Sequence, residues 1–264
     1  MALEAALVEL QDLTERLRRD CPWDREQTLR TIVPHTVEEA YEVADAAHAG
    51  TPDKLVDELG DLLFQVYFLA LLLEEDGQGD LETVARGVHA KLVRRHPHVF
   101  GDAEARTAGR VRERWEEIKS EQEGREGIFH DVPGSLPALL QARKVQRRAA
   151  VVGYDWPDLD GPLAKVREEL GELEEAFDAA GTPAPETEPD AAVFGEVGDL
   201  LFTVVNVARK LNVDPELALR ATTLRFVERV ELAERIAGDA GVHWTDLDLE
   251  MQDRYYELAK EQLR

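Results

Sequence analysis

A seven-residue segment occurs twice in this chain and constrains most of what the rest can be. Glu58-Leu59-Gly60-Asp61-Leu62-Leu63-Phe64 matches Glu196-Val197-Gly198-Asp199-Leu200-Leu201-Phe202 at six of seven positions. In both copies it opens an apolar stripe with helical spacing. The first stripe runs through Leu59, Leu62, Leu63, Val66, Ala70 and Leu73; the second runs through Val197, Leu200, Leu201, Val204, Val205, Ala208 and Leu211. Apolar residues at i, i+3, i+4 and i+7 mark the packed face of a helix, and no stretch alternates as a strand would, so the predicted class is all-α. Aligned on the repeat, Glu38 to Glu42 faces Glu168 to Glu172, and Trp23-Asp24 echoes Asp155-Trp156. Further on, Trp115 and Lys119 echo Tyr256 and Lys260. An offset of roughly 130 residues is far too long for a solenoid unit, so the expectation is two tandem helical-bundle domains from an internal duplication. Their expected bounds are 1–123 and 136–264, with a Gly- and Pro-punctuated linker over 124–135.

Local punctuation supports the helices. Pro34, Pro52, Pro162 and Pro215 are placed in first helical turns, Gly50 and Gly181 at helix ends, and Thr51, Asp80 and Asp214 at N-caps. The second copy has a longer inter-helix loop from Thr182 to Pro189, whose Pro- and Glu-rich composition predicts a solvated segment.

Composition narrows the partners. The chain carries 55 acidic and 31 basic side chains, a net charge of −24. That excludes a duplex-coating nucleic-acid binder, which must neutralise phosphates with Lys and Arg, and a polybasic membrane-surface protein. A polyanionic ligand would therefore need a cation as intermediary. The single cysteine, Cys21, rules out an intrachain disulfide and predicts a reducing cytoplasm. Residues 1–19 lack the apolar core of a signal peptide, and the apolar run Leu62–Leu73 is too short to span a bilayer. No membrane association is expected.

The acidic residues are ordered. Each copy has Glu-x-x-Glu on one helix and Glu-x-x-Asp on the next: Glu39, Glu42, Glu58 and Asp61, then Glu169, Glu172, Glu196 and Asp199. Residues three apart share a helical face, so antiparallel packing of the two helices would bring four carboxylates together. Burying them unneutralised is costly; a hard cation with oxygen ligands, Mg²⁺ or in its place Mn²⁺, removes that cost. The alternative is a solvated acidic face. With acids this frequent, chance alone yields about eleven such pairs, so the repeated order is what favours metal.

The succession Cys21-Pro22-Trp23-Asp24, Glu38-Glu39-x-x-Glu42, Glu58-x-Gly60-Asp61-Leu62-Leu63-Phe64, Arg94-Arg95-His96-Pro97-His98-Val99-Phe100 and Trp115-Glu116-x-Ile118-Lys119 closely resembles the MazG family. These are nucleoside triphosphate pyrophosphohydrolases of an all-α superfamily. The resemblance continues through Ser135 to Leu139, Val152 to Trp156 and the second carboxylate set, so it covers essentially the whole chain. It implies a homodimer that uses Mg²⁺ to hydrolyse nucleoside triphosphates to monophosphate and pyrophosphate, with the C-terminal domain as the main catalytic one. Two rivals remain open at this point. One is a narrow dUTP or phosphoribosyl-ATP pyrophosphohydrolase of the same superfamily; the other is a non-catalytic regulator that binds nucleotide or a partner helix.

Matched motif to motif, the resemblance implies Glu169, Glu172, Glu196 and Asp199 as catalytic metal ligands. It also implies that Lys165 contacts phosphate, that Arg225 and Arg229 form a cationic pair, and that Tyr256 stacks on the base. Against these stand an i, i+4 pair of Lys165 with Glu169, a solvated arginine pair, and a core aromatic. Glu168 is a candidate general base or a solvent-facing acid, and Asn206, two turns beyond Asp199, a ligand contact or a polar contact in the core. The N-terminal set Glu39, Glu42, Glu58 and Asp61 is metal-competent, but His35 replaces the lysine found at Lys165. It is also accompanied by Lys91, Arg94, Arg95 and Trp115. His96 and His98, separated by Pro97, are read as a helix-ending turn, Cys21 as structural, and Trp23 and Trp156 as packing residues.

Overall fold

In the computed structural model, residues 2–101, 127–129, 132–182 and 188–264 are described. Trp115 and Lys119, and the middle of the Thr182–Pro189 loop, lie outside the described residues. Every regular element among them is helical. The chain divides into two compact units, Met1–Gly124 and Arg125–Arg264.

The first unit contains α1 (Ala2–Asp20), α2 (Pro22–Glu26), α3 (Leu29–Ala49), α4 (Pro52–Glu75), α5 (Leu81–Arg95) and α6 (Pro97–Phe100). A two-residue link makes α3 and α4 an antiparallel pair. Gly50 ends α3 at φ 68°, a left-handed conformation that costs glycine little, and Pro52 starts α4 with its fixed φ. The pair meets at Ile32, Phe68 and Leu72, all buried, with Leu29, Phe64 and Leu69 around them. Arg18 ties the rest to this pair. Its guanidinium donates to Glu75 at the end of α4 (2.7 Å) and to the carbonyls of Asp24 (2.6 Å) and Gln27 (3.0 Å).

One expectation fails. Pro34 is inside α3, not in its first turn, because a capping box between Thr28 and Thr31 starts the helix earlier. Pro52, Pro162 and Pro215 do lie in first turns. Asp80 and Asp214 accept cap hydrogen bonds, whereas the Thr51 side chain makes none.

The second unit contains α7 (Ala138–Val151), α8 (Asp160–Ala180), α9 (Ala191–Lys210), α10 (Pro215–Asp239), a short 3-10 turn (Trp244–Asp246) and α11 (Leu249–Gln262). Here α8 packs along α9, α10 packs along α11, and α7 bridges α9 and α10. Gln146 of α7 donates to the Phe202 carbonyl (2.7 Å), and Arg143 pairs with Asp214 at the cap of α10. The end of α9 is fastened to the turn before α8, where Asp155 accepts from Arg209 (2.5 Å) and Lys210 (2.9 Å). Trp156 lies directly over Gly161 in the first turn of α8.

Within this unit α9 leaves much of its apolar surface uncovered. By length and composition it could cross a membrane, yet Glu196 and Asp199 lie within it. Phe194, Val197, Leu201, Phe202 and Val204 are all exposed.

Candidate metal centres

In each unit two helices bring three carboxylates to one point. Glu39 of α3 meets Glu58 and Asp61 of α4; Glu169 of α8 meets Glu196 and Asp199 of α9. One oxygen from each residue of a triad lies within 4.8 Å of the other two. Two oxygens that share a Mg²⁺ at its usual bond length are at most about 4.2 Å apart, so small side-chain rotations suffice to close either triad on an ion. The spacing follows from the repeat. Glu-x-x-Asp places both acids on one face of α4 or α9, beside the apolar stripe that packs on the partner helix.

The fourth acid of each set flanks its triad. In the first unit, Glu58 is buried beside Glu42. Burial and then the Glu42 charge hold the Glu58 carboxyl above the usual range. Burial and the charges of Asp61, Glu42 and Glu58 raise Glu39 in the same way. Glu39 Oε2 is a buried oxygen with no hydrogen-bond partner. A buried acceptor in that state is what an oxygen-seeking cation satisfies, so this donor set fits a hard divalent ion.

In the second unit, Glu169 is buried and Glu172 is exposed. Partial desolvation by its neighbours raises the Glu172 carboxyl; the Lys165 charge opposes this, and the Glu169 and Glu196 charges add to it. Lys165 lies against the cluster, with Nζ 2.6 Å from Glu169 Oε1 and 2.8 Å from Glu168 Oε1. Hydrogen bonds to Glu168 and Glu169 push its pKa well above the ordinary lysine value.

The other candidates make contacts of their own. Arg225 is exposed on α10 and donates to Thr222 (2.8 Å); Arg229 is half-buried one turn on. The Tyr256 ring of α11 packs on Phe226 with centroids 5.9 Å apart. Asn206 is buried and its Oδ1 accepts from Arg209 Nε (2.8 Å). His35 is the counterpart of Lys165, and its Nδ1 is 3.8 Å from Glu38, not from Glu39. His96 links α5 to α6, its Nδ1 2.6 Å from the Leu92 carbonyl, and neither it nor His98 joins a metal-competent group among the described residues. Cys21 is the N-cap residue of α2, and Trp23 stands edge-on to His35.

Two contacts escaped the sequence. Lys54 is 3.8 Å from Glu58, an i, i+4 spacing that was there to be read. The Asp155, Arg209 and Lys210 cluster joins residues more than fifty positions apart and has no local signal.

The MazG nucleotide pyrophosphohydrolase domain model matches residues 27–100, the stretch that holds Glu39, Glu42, Glu58 and Asp61. The nucleoside triphosphate pyrophosphohydrolase of Escherichia coli strain K12 is 42% identical over 260 residues, covering 96% of this chain and 96% of its own length. The nucleoside triphosphate pyrophosphohydrolase/pyrophosphatase MazG of Thermotoga maritima is 41% identical over 256 residues, covering 96% of this chain and 94% of its own length.

Proposed function

The chain belongs to the MazG family of nucleoside triphosphate pyrophosphohydrolases, and on that premise we propose that its α8–α9 carboxylate centre cleaves nucleoside and deoxynucleoside triphosphates to monophosphate and pyrophosphate. The observation that carries the reading is the convergence of Glu169, Glu196 and Asp199, with Glu172 beside them and Lys165 against Glu169.

Glu169, Glu172, Glu196 and Asp199 would hold Mg²⁺, for which Mn²⁺ can substitute, and the N-terminal set would hold a second, less active centre. Bound there, the ion polarises phosphate oxygens and raises the acidity of water at neutral pH. The water oxygen forms a new bond to the α phosphorus, the bond from that phosphorus to the oxygen bridging the α and β phosphates breaks, and the leaving pyrophosphate keeps the electron pair. Glu168, exposed beside the cluster, takes the proton. Lys165 supplies positive charge to the phosphates, and Arg225 and Arg229 offer more. Tyr256 is the candidate stacking platform for the base, and Asn206 orients Arg209 at the far end of α9.

The exposed apolar residues of α9 support a homodimer in which a second copy covers this helix. The lone Cys21 fits a reducing, cytoplasmic setting. We further propose that the repeated helix pairs descend from one duplicated domain.

Product analysis tests the reaction. Incubation with each common triphosphate and Mg²⁺, resolved by ion exchange, is expected to give monophosphate plus pyrophosphate. Diphosphate plus phosphate, or turnover of dUTP alone, overturns it. Glu196→Ala should abolish most activity and Glu58→Ala much less; equal losses would defeat the C-terminal assignment.

A further inference from the structure

The two centres share their acids but differ in how those acids are balanced. In the C-terminal centre an ammonium group sits within the cluster, since Lys165 bonds both Glu169 (2.6 Å) and Glu168 (2.8 Å). In the N-terminal centre the corresponding residue is His35, which lies near Glu38 and leaves Glu39 alone; one Glu39 oxygen is buried without a partner. The nearby cation there, Lys54, is 3.8 Å from Glu58 with its side chain mostly in solvent.

A divalent ion that takes Glu169 must compete with a short charge-assisted hydrogen bond and then sit beside the displaced ammonium. A free ion brings nothing to compensate that ammonium. An ion carried by a triphosphate brings phosphate oxygens that do. At Glu39 a free ion meets an unpaired oxygen and, among the described residues, no ammonium hydrogen-bonded to that carboxylate.

We propose that Lys165 gates the C-terminal centre, holding Glu169 against free divalent cations and releasing it when the cation arrives with a triphosphate, whereas the N-terminal centre takes the free ion. This rests on the pyrophosphohydrolase reading above. Metal and nucleotide binding are therefore coupled at one centre and independent at the other, and the coupling is reciprocal.

The test uses the full-length protein, Mn²⁺ as the probe read by electron paramagnetic resonance, and an α,β-methylene triphosphate as the uncleaved nucleotide. With the N-terminal acids removed (Glu58→Gln, Asp61→Asn), Mn²⁺ alone should bind weakly and the nucleotide should tighten it on the order of tenfold or more. Adding Lys165→Met should tighten binding of Mn²⁺ alone on the order of tenfold and erase most of the nucleotide's increment. Lys165→Arg, which keeps the charge, should leave Mn²⁺ binding weak, and equal melting curves would show that neither change acts through folding. With the C-terminal acids removed instead (Glu196→Gln, Asp199→Asn), Mn²⁺ affinity should not depend on nucleotide. Lys165→Met binding Mn²⁺ no more tightly than its parent overturns the gate while leaving the metal centres intact. Absence of Mn²⁺ binding in every protein, with and without nucleotide, overturns the metal reading itself and the gate with it.

Discussion

Gly161→Ala should destabilise the C-terminal unit, although it replaces a helical glycine with the best helix former. A Cβ built at Gly161 would lie 2.0 Å from Trp156 Cδ1, 2.6 Å from Nε1 and 2.7 Å from Cγ. These atoms belong to a rigid ring and not to a flexible chain end, so the indole must leave. Trp156 is 41% exposed, so a little over half of its surface is covered. Losing that cover forfeits about 100 Å² of largely apolar contact, or about 2.5 kcal/mol at 25 cal/mol per Å². Ala over Gly returns about 1 kcal/mol at most, less in a first turn. The net loss is about 1–2 kcal/mol, which lowers the melting temperature of a unit this size by about 4–10 °C. The same movement also strains the turn where the Trp156 carbonyl accepts from Lys210. Calorimetry of the C-terminal transition measures the loss, and tryptophan fluorescence should move toward the red as the indole becomes wetter. A melting temperature equal to or above that of the parent would show that helix propensity outweighs the packing and refute the reasoning.

Two further outcomes follow from the same structure. The Arg18 hydrogen bond holds the Glu75 carboxyl below its ordinary range. Its folded pKa is thus depressed, so its contribution is present above the unfolded value, near pH 4, and is lost as pH falls through the folded one. Glu75→Gln should accordingly flatten the acid limb of a stability-versus-pH curve below about pH 4, and an unchanged limb would refute the clamp. Phe194→Asp places a charge on the exposed face of α9 and should halve the mass seen by sedimentation equilibrium; a wild-type monomer, or an undisturbed dimer, counts against the proposed interface.

Much of the fold was legible because its causes are local. The stripes from Leu59 and Val197 follow the helical period, and Asp80, Asp214, Pro52 and Pro215 act within one turn of where they stand. Pro34 falls inside α3 for an equally local reason: the Thr28–Thr31 capping box, upstream of it, sets the helix start. The acidic pairs were legible as pairs. Their grouping was not, since Glu39 and Glu169 join the compact triads while Glu42 and Glu172 stand beside them. The sequence also offered Lys165 two partners, phosphate or Glu169, and in the folded chain its Nζ lies 2.6 Å from the latter.

By itself, then, the sequence determined an all-α chain, two matched sets of four acids, and a family whose chemistry passes through phosphate. Those properties depend on spacing along single helices, where 3.6 residues per turn decides which side chains share a face. Tertiary structure decided which three acids meet within 4.8 Å and which apolar helix lies uncovered. Each of these depends on the rotation and offset of one helix against another. A few ångströms of sliding would leave every periodicity unchanged and pull the carboxylates apart.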